Sequence, residues 1–225
     1  MTEEMNYDVT AQIAPNIDVD EIENDHMYLM GIAQDCSGSM RDYAGDMKMA
    51  MINFVKSIQD SKQDDEMLVS ITEFGSNVKS SGFQNVADLS TDFQADGCTA
   101  MYDAIIVAAQ QLTDYMDQLN NSGVRTRGGL VIFSDGHDND SRYSAKEAAD
   151  AISALMKREV VVAFVAFGSG AHGIAQNLGV LKRNVLETDA SPSELRKIWG
   201  ILSKSAASAS KSAAAGASQS NFFDV

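Results

Sequence analysis

The chain is short of positive charge, of cysteine and of long apolar runs, and each shortage argues against a class of protein. It has 17 Lys and Arg against 32 Asp and Glu, a formal net charge of −15. Nucleic-acid binding through phosphates needs clustered Lys and Arg, so no nucleic-acid partner is expected. Anionic membrane surfaces are disfavoured for the same reason. Two cysteines do not make a disulfide framework. The longest apolar run, Val160 to Phe167, is far below the roughly 20 residues of a membrane-spanning helix. The opening Met-Thr-Glu-Glu has neither the basic nor the apolar region of a secretory signal. A cytoplasmic protein is therefore expected. What the acidic surface favours is a basic partner or a bound divalent cation.

The chain has 225 residues, 44% of them hydrophobic, enough to bury a full core. Residues 1–25 are acidic and weakly patterned, and read as a flank. A single domain is expected over 26–205. Residues 206–225 form a Ser/Ala-rich tail that ends Asn-Phe-Phe-Asp-Val. Within the domain, strand and helix patterns alternate. Met27 to Gln34 is an apolar strand, and Met47 to Ile58 repeats apolar residues at helical spacing. Met67 to Phe74 is a strand, with Val78 to Phe83 as its antiparallel partner across a Gly-Ser-Asn turn. Ala100 to Leu119 is a long helix, and Gly123 to Gly128 a basic loop. Leu130 to Phe133 is a short strand. Ser144 to Lys157 is a helix, with Ser144 and Glu147 placed as a capping box. Val160 to Phe167 has the continuous apolar character of a strand covered on both faces, and Asn184 to Thr188 is a last short strand. Ser191 caps a final helix with Pro192 in its first turn and Trp199 inside it. The fold expected is α/β, Rossmann-like and doubly wound. Its central sheet is mostly parallel with one antiparallel edge strand, and helices cover both faces.

Asp35-Cys36-Ser37-Gly38-Ser39 leaves the first strand. One carboxylate and two hydroxyls in one turn are hard oxygen donors, suited to Mg²⁺, Mn²⁺ or Ca²⁺ rather than Zn²⁺ or Cu²⁺. Thr99, just before the long helix, and Asp135, just after the Leu130 strand, add oxygens in matching settings. Ligands in open α/β sheets bind beyond the carboxyl ends of strands, which is where Asp35 and Asp135 fall.

A DxSxS turn, a distant Thr and a later Asp, in that order, resemble the metal-ion-dependent adhesion site of a von Willebrand factor A domain. The resemblance covers roughly 25–205. It implies a Mg²⁺ held by Asp35, Ser37, Ser39, Thr99 and Asp135. When a partner carboxylate binds, Ser37, Ser39 and Thr99 would hold the metal directly, and Asp35 and Asp135 would act mainly through water. It further implies an intracellular prokaryotic or viral adaptor that binds proteins rather than catalyses. Its partner would present Asp or Glu, for instance a MoxR-type AAA+ ATPase or a protein of a kinase, phosphatase or stress-response cluster. The expected partner-binding rim is Cys36, Met40, Cys98, Gly136, His137, Asp138 and His172.

Cys36 and Cys98 are expected to be small buried thiols, with a reversible disulfide as the sharper alternative. With His137 and His172 they suggest zinc, but no CxxC or HxxxH spacing supports it. Asp138-Asn139-Asp140 reads as a solvated loop. Gly168, Gly170 and Gly173 form a GxGxxG after a strand, with Glu187 about 20 residues on, as in a dinucleotide fingerprint; too little βαβ follows, and a tight turn is the better reading. A Mg²⁺-dependent phosphatase-like hydrolase is a further alternative, but the second acid it would need is Ser37.

Overall fold

The computed structural model describes residues 11–60, 66–167, 171–188, 191, 193–194, 197–201 and 204–205. The strands are β1 (Ala11–Ile13), β2 (His26–Asp35), β3 (Met67–Phe74), β4 (Val78–Ser80), β5 (Gln84–Asn85), β6 (Arg125–Ser134), β7 (Val161–Phe167) and β8 (Val185–Thr188). The helices are α1 (Ala44–Asp60), α2 (Met101–Asn121), α3 (Ala145–Lys157) and α4 (Ala171–Asn177). One sheet runs in the order β1-β4-β3-β2-β6-β7-β8, with β5 also on β3. From β2 the chain builds outward through β3 and β4, then returns to β2's other side and builds outward through β6, β7 and β8. The crevice above β2 and β6 is therefore the topological switch point, where α/β sheets place their ligands.

β2 pairs in parallel with both β3 and β6, and β7 continues the parallel ladder to β8. Both faces of β2 are covered, so its sequence shows no polar alternation. Leu29 and Ala33 face a core shared with Ile105 and Leu112 of α2 and Ile152 of α3. Met30 and Ile32 face a second core, with Phe54 of α1, Phe133 and Trp199. Trp199 stacks on Phe133 at 4.8 Å and meets Phe54 edge-on at 5.2 Å. It lies on a stretch that is helical at 197–201. The α3 capping box is present in full, Ser144 and Glu147 each bonding the other's backbone N–H.

Three expectations need correction. β6 begins at Arg125, not Leu130, so most of the expected basic loop is strand. Its lower half pairs His26 with Arg125 and Tyr28 with Arg127, and main-chain bonding carries it where the side chains are polar. The partner of β3 comes in two pieces. β4 ends at Ser80, and pairing resumes at Gln84 on the other end of β3. Gly82 sits in the gap at φ +68°, where a Cβ would lie 2.4 Å from the Pro15 carbonyl oxygen. The N-terminal flank occupies that space, which explains the third difference. β1 pairs in parallel with β4 and takes the edge position expected for the antiparallel strand. The flank is then tied down by Ile17 N–H to the Phe83 carbonyl at 2.8 Å and by the Tyr115 hydroxyl to the Ile17 carbonyl at 2.9 Å.

Ser191 Oγ accepts the Glu194 N–H at 3.4 Å, as a helix cap does. Pro192, Gly168, Gly170 and the 206–225 tail lie outside the described residues.

Candidate metal centre

Asp35 ends β2 and is fully buried. Its Oδ1 accepts the Ser37 N–H at 2.9 Å, and its Oδ2 accepts the Ser134 hydroxyl at 2.7 Å. The first bond closes the turn and the second crosses to β6. Ser37 Oγ lies 2.9 Å from Ser39 Oγ; Ser37 is buried and Ser39 exposed. The DxSxS turn thus presents a carboxylate and a hydroxyl pair at the crevice.

The turn is fastened to the segment before α2. Gly38 N–H donates to the Gly97 carbonyl at 3.1 Å, and Asp96 N–H to the Cys36 carbonyl at 2.8 Å. Gly75 is where these loops crowd: a Cβ there would lie 2.8 Å from the Asp96 carbonyl oxygen. Ala100 N–H donates to the Gly75 carbonyl at 3.0 Å. Thr99 is buried between these contacts and the loop after β6. Asn139 Oδ1 accepts the Thr99 N–H at 2.8 Å, and the Thr99 carbonyl accepts the Asn139 and Asp140 N–H groups at 3.0 and 3.2 Å.

Asp135 begins that loop, half-buried, its Oδ1 accepting the His137 N–H at 3.1 Å. Burial raises the Asp35 carboxyl above its usual range. Hydrogen bonds from Ser37 and Ser134 pull it back, and the charge of Asp135 adds to the rise. Two carboxylates that repel across a buried crevice are an arrangement a cation relieves.

The donor set fits a hard divalent cation: two carboxylates and three hydroxyls, all oxygen, on three interlocked loops. It does not fit zinc. Among the described residues no group of three or more His, Cys, Asp or Glu gathers. Cys36 is buried and Cys98 exposed, and both are free thiols; burial pushes the Cys36 thiol up. His172 lies on α4, Nδ1 3.3 Å from Glu187 and Nε2 2.8 Å from the Gln176 amide.

The rim expectation is corrected in part. Met40 is fully buried in the core with Phe54 and Trp199 and presents no surface to a partner. Cys36 and Gly136 are also buried, while His137 and Cys98 are exposed. The expected solvated loop holds for Asn139 and Asp140, which are exposed, while half-buried Asp138 is taken up in side-chain bonds. Asp138 Oδ2 accepts the Tyr102 N–H at 3.1 Å and the Ser141 hydroxyl at 2.5 Å. Ser141 Oγ in turn accepts the Tyr102 and Asp103 N–H groups at 3.0 and 3.2 Å. Ala100, at the cap position of α2, offers no side-chain bond, so the helix is capped from some 40 residues downstream. Asp103, itself buried, accepts the Arg142 and Tyr143 N–H groups at 3.0 Å each.

No protein-family model matches the chain, and no curated protein sequence matches it. Solved structures do. The pilus adhesin SpaC from Lactobacillus rhamnosus GG, in an open conformation, superposes with TM-score 0.64 at 13% identity, over 81% of this chain and 30% of its own. Proximal thread matrix protein 1 from the mussel byssus gives 0.57 at 19% identity, over 82% and 47%. The manganese-loaded TRAP protein of Plasmodium vivax gives 0.50 at 18%, over 78% and 74%. The chain thus spans about a third to a half of the first two. The likeness is one of fold: a mixed α/β, mostly parallel sheet of the von Willebrand factor A type.

Proposed function

We propose that this chain is a divalent-metal-dependent protein-binding module, not an enzyme. Asp35, Ser37, Ser39, Thr99 and Asp135 would hold Mg²⁺, or Mn²⁺ or Ca²⁺ in its place. The metal supplies an electrophilic point for an exposed Asp or Glu of a partner protein. The observation that carries this reading is the meeting of three loops at the β2/β6 switch point, each bringing hard oxygen donors, tied together by main-chain bonds and by the Ser134 hydroxyl on Asp35. Structures of similar fold include a pilus adhesin and a manganese-loaded protein, in keeping with an adhesion-type site.

The chain's own residues divide the work. Asp35 and Asp135 supply negative charge, while the Ser and Thr hydroxyls add ligands without charge. A cation shared mainly among hydroxyls stays underneutralised and attracts an outside carboxylate. A cation bound only by the folded state stabilises it by about 2.7 kcal/mol at 100 times its Kd. In a domain of this size that is a rise in Tm of about 5–10 °C. Mn²⁺ or Mg²⁺ should produce that rise in the wild type and none in Asp35→Ala, measured by calorimetric melting with and without EDTA. A wild-type melt indifferent to either metal at millimolar concentration defeats the proposal.

A further inference from the structure

We infer that Asn139 is a positioning residue for Thr99, locking the loop that carries Thr99 to the loop that carries Asp135, so that the two move as one body. The inference rests on the metal-site reading above.

The argument starts from the Thr99 backbone. Thr99 lies outside regular structure, immediately before the α2 cap position, and is 4% exposed. A buried peptide N–H or carbonyl must find a partner, and no ladder or helix supplies one here. The 139–140 segment supplies both. Asn139 Oδ1 takes the Thr99 N–H at 2.8 Å, and the Asn139 and Asp140 N–H groups take its carbonyl at 3.0 and 3.2 Å. Both backbone polar groups of Thr99 are therefore committed to one downstream segment. None of those bonds uses its side-chain hydroxyl.

The choice of amide fits the electrostatics. Asp138 and Asp140 flank Asn139, and Asp35 and Asp135 already repel each other nearby. Asparagine gives a neutral acceptor where another carboxylate would add to the crowding. The segment is itself anchored on both sides of Asn139, where Asp138 and Ser141 cap α2. Thr99 cannot shift toward or away from a cation without dragging the Asp135 loop and the first turn of α2.

Residues that orient a metal ligand typically change metal affinity about 10–100-fold when removed. The test uses the full chain with Mn²⁺ as probe and two readouts: affinity by titration calorimetry, and hydrogen exchange of the Thr99 amide in the metal-free protein. Asn139→Ala should weaken Mn²⁺ about 10–100-fold and speed Thr99 exchange. Asn139→Asp keeps the acceptor and should keep the protection of that amide. Ser144→Ala, which removes the α3 cap, should lower Tm without changing Mn²⁺ affinity, so general destabilisation is told apart from positioning. If the wild type binds Mn²⁺ and Asn139→Ala matches it in affinity and in Thr99 protection, the clamp is wrong and the metal site stands. The clamp also falls if Ser144→Ala weakens Mn²⁺ as much as Asn139→Ala does. If the wild type takes up no Mn²⁺, both fall.

Discussion

The turn after β2 and the loop after β6 contribute to the same crevice but are built on opposite plans. In the first, Asp35 closes on Ser37 and Ser37 meets Ser39, bonds that reach two residues along the chain. In the second, Asp138, Asn139 and Ser141 spend their side chains on Thr99, Tyr102 and Asp103, some 36 to 40 residues away. The first closes its turn with its own side chains and is fastened from outside by the Ser134 hydroxyl and the 96–97 main chain. The second is a brace that holds Thr99 of another loop and the first turn of another helix. Side-chain bonds of the first kind are lost one at a time, whereas breaking the brace is felt in both segments it joins.

That contrast can be tested by breaking each side. The largest effect is expected at Asp103. Its buried carboxylate accepts two backbone N–H groups of the brace. Hydrogen bonds to charged groups are worth about 1.5–3 kcal/mol each, and orphaned buried donors add to the loss. Asp103→Ala should cost about 3 kcal/mol in urea unfolding and also weaken metal binding, because the brace carries Asn139. Full stability in that variant would mean the loop holds itself.

The next effect has the opposite sign. Burial raises the Asp35 carboxyl, so between its ordinary pKa and the raised one the native state holds a proton that the unfolded chain has released. The contribution of Asp35 to stability therefore falls as pH rises through that window. Without metal, Asp35→Asn should be more stable than wild type at neutral pH, by on the order of 1 kcal/mol. The gap should close as pH drops toward the usual carboxylate range. With saturating Mn²⁺ the order should reverse. Urea midpoints at several pH values, with EDTA and with metal, decide it; a variant less stable than wild type in EDTA at pH 7 contradicts the account.

The smallest stability effect is expected at Ser39, which is exposed and whose hydroxyl, among the described residues, bonds across the turn to Ser37. Ser39→Ala should stay within about 0.5 kcal/mol of wild type while reducing the metal-induced rise in Tm. A loss of stability without loss of the metal response would assign Ser39 to structure.

The same contrast decides how much was legible beforehand. DxSxS was readable because its geometry lies in five consecutive residues. Thr99 and Asp135 stand at boundaries between elements that the sequence marks, before α2 and after β6. The α3 cap was readable for the same reason, with Ser144 and Glu147 three apart. Asn139 was not, because its bond to Thr99 pairs two segments that nothing local brings together. The α2 cap was hidden likewise, since Ala100 is the residue in the local position. β1 and the lower half of β6 escaped notice because backbone pairing, not an apolar face, holds them. Met40 follows Ser39 in sequence, but the 3-10 turn over Gly38–Tyr43 rotates its side chain into the α1 core.

The unequal burial of the two cysteines has a practical consequence. Cys36 is shut beneath the turn, whereas Cys98 is open to solvent and adjoins Thr99. A thiol-directed reagent offered to the folded chain meets one accessible sulfur, beside the residue whose placement matters most. A small fluorophore or spin label attached there would sit at the mouth of the crevice without any engineered cysteine. It would report on any cation or carboxylate taken up at the proposed site, without a change of sequence.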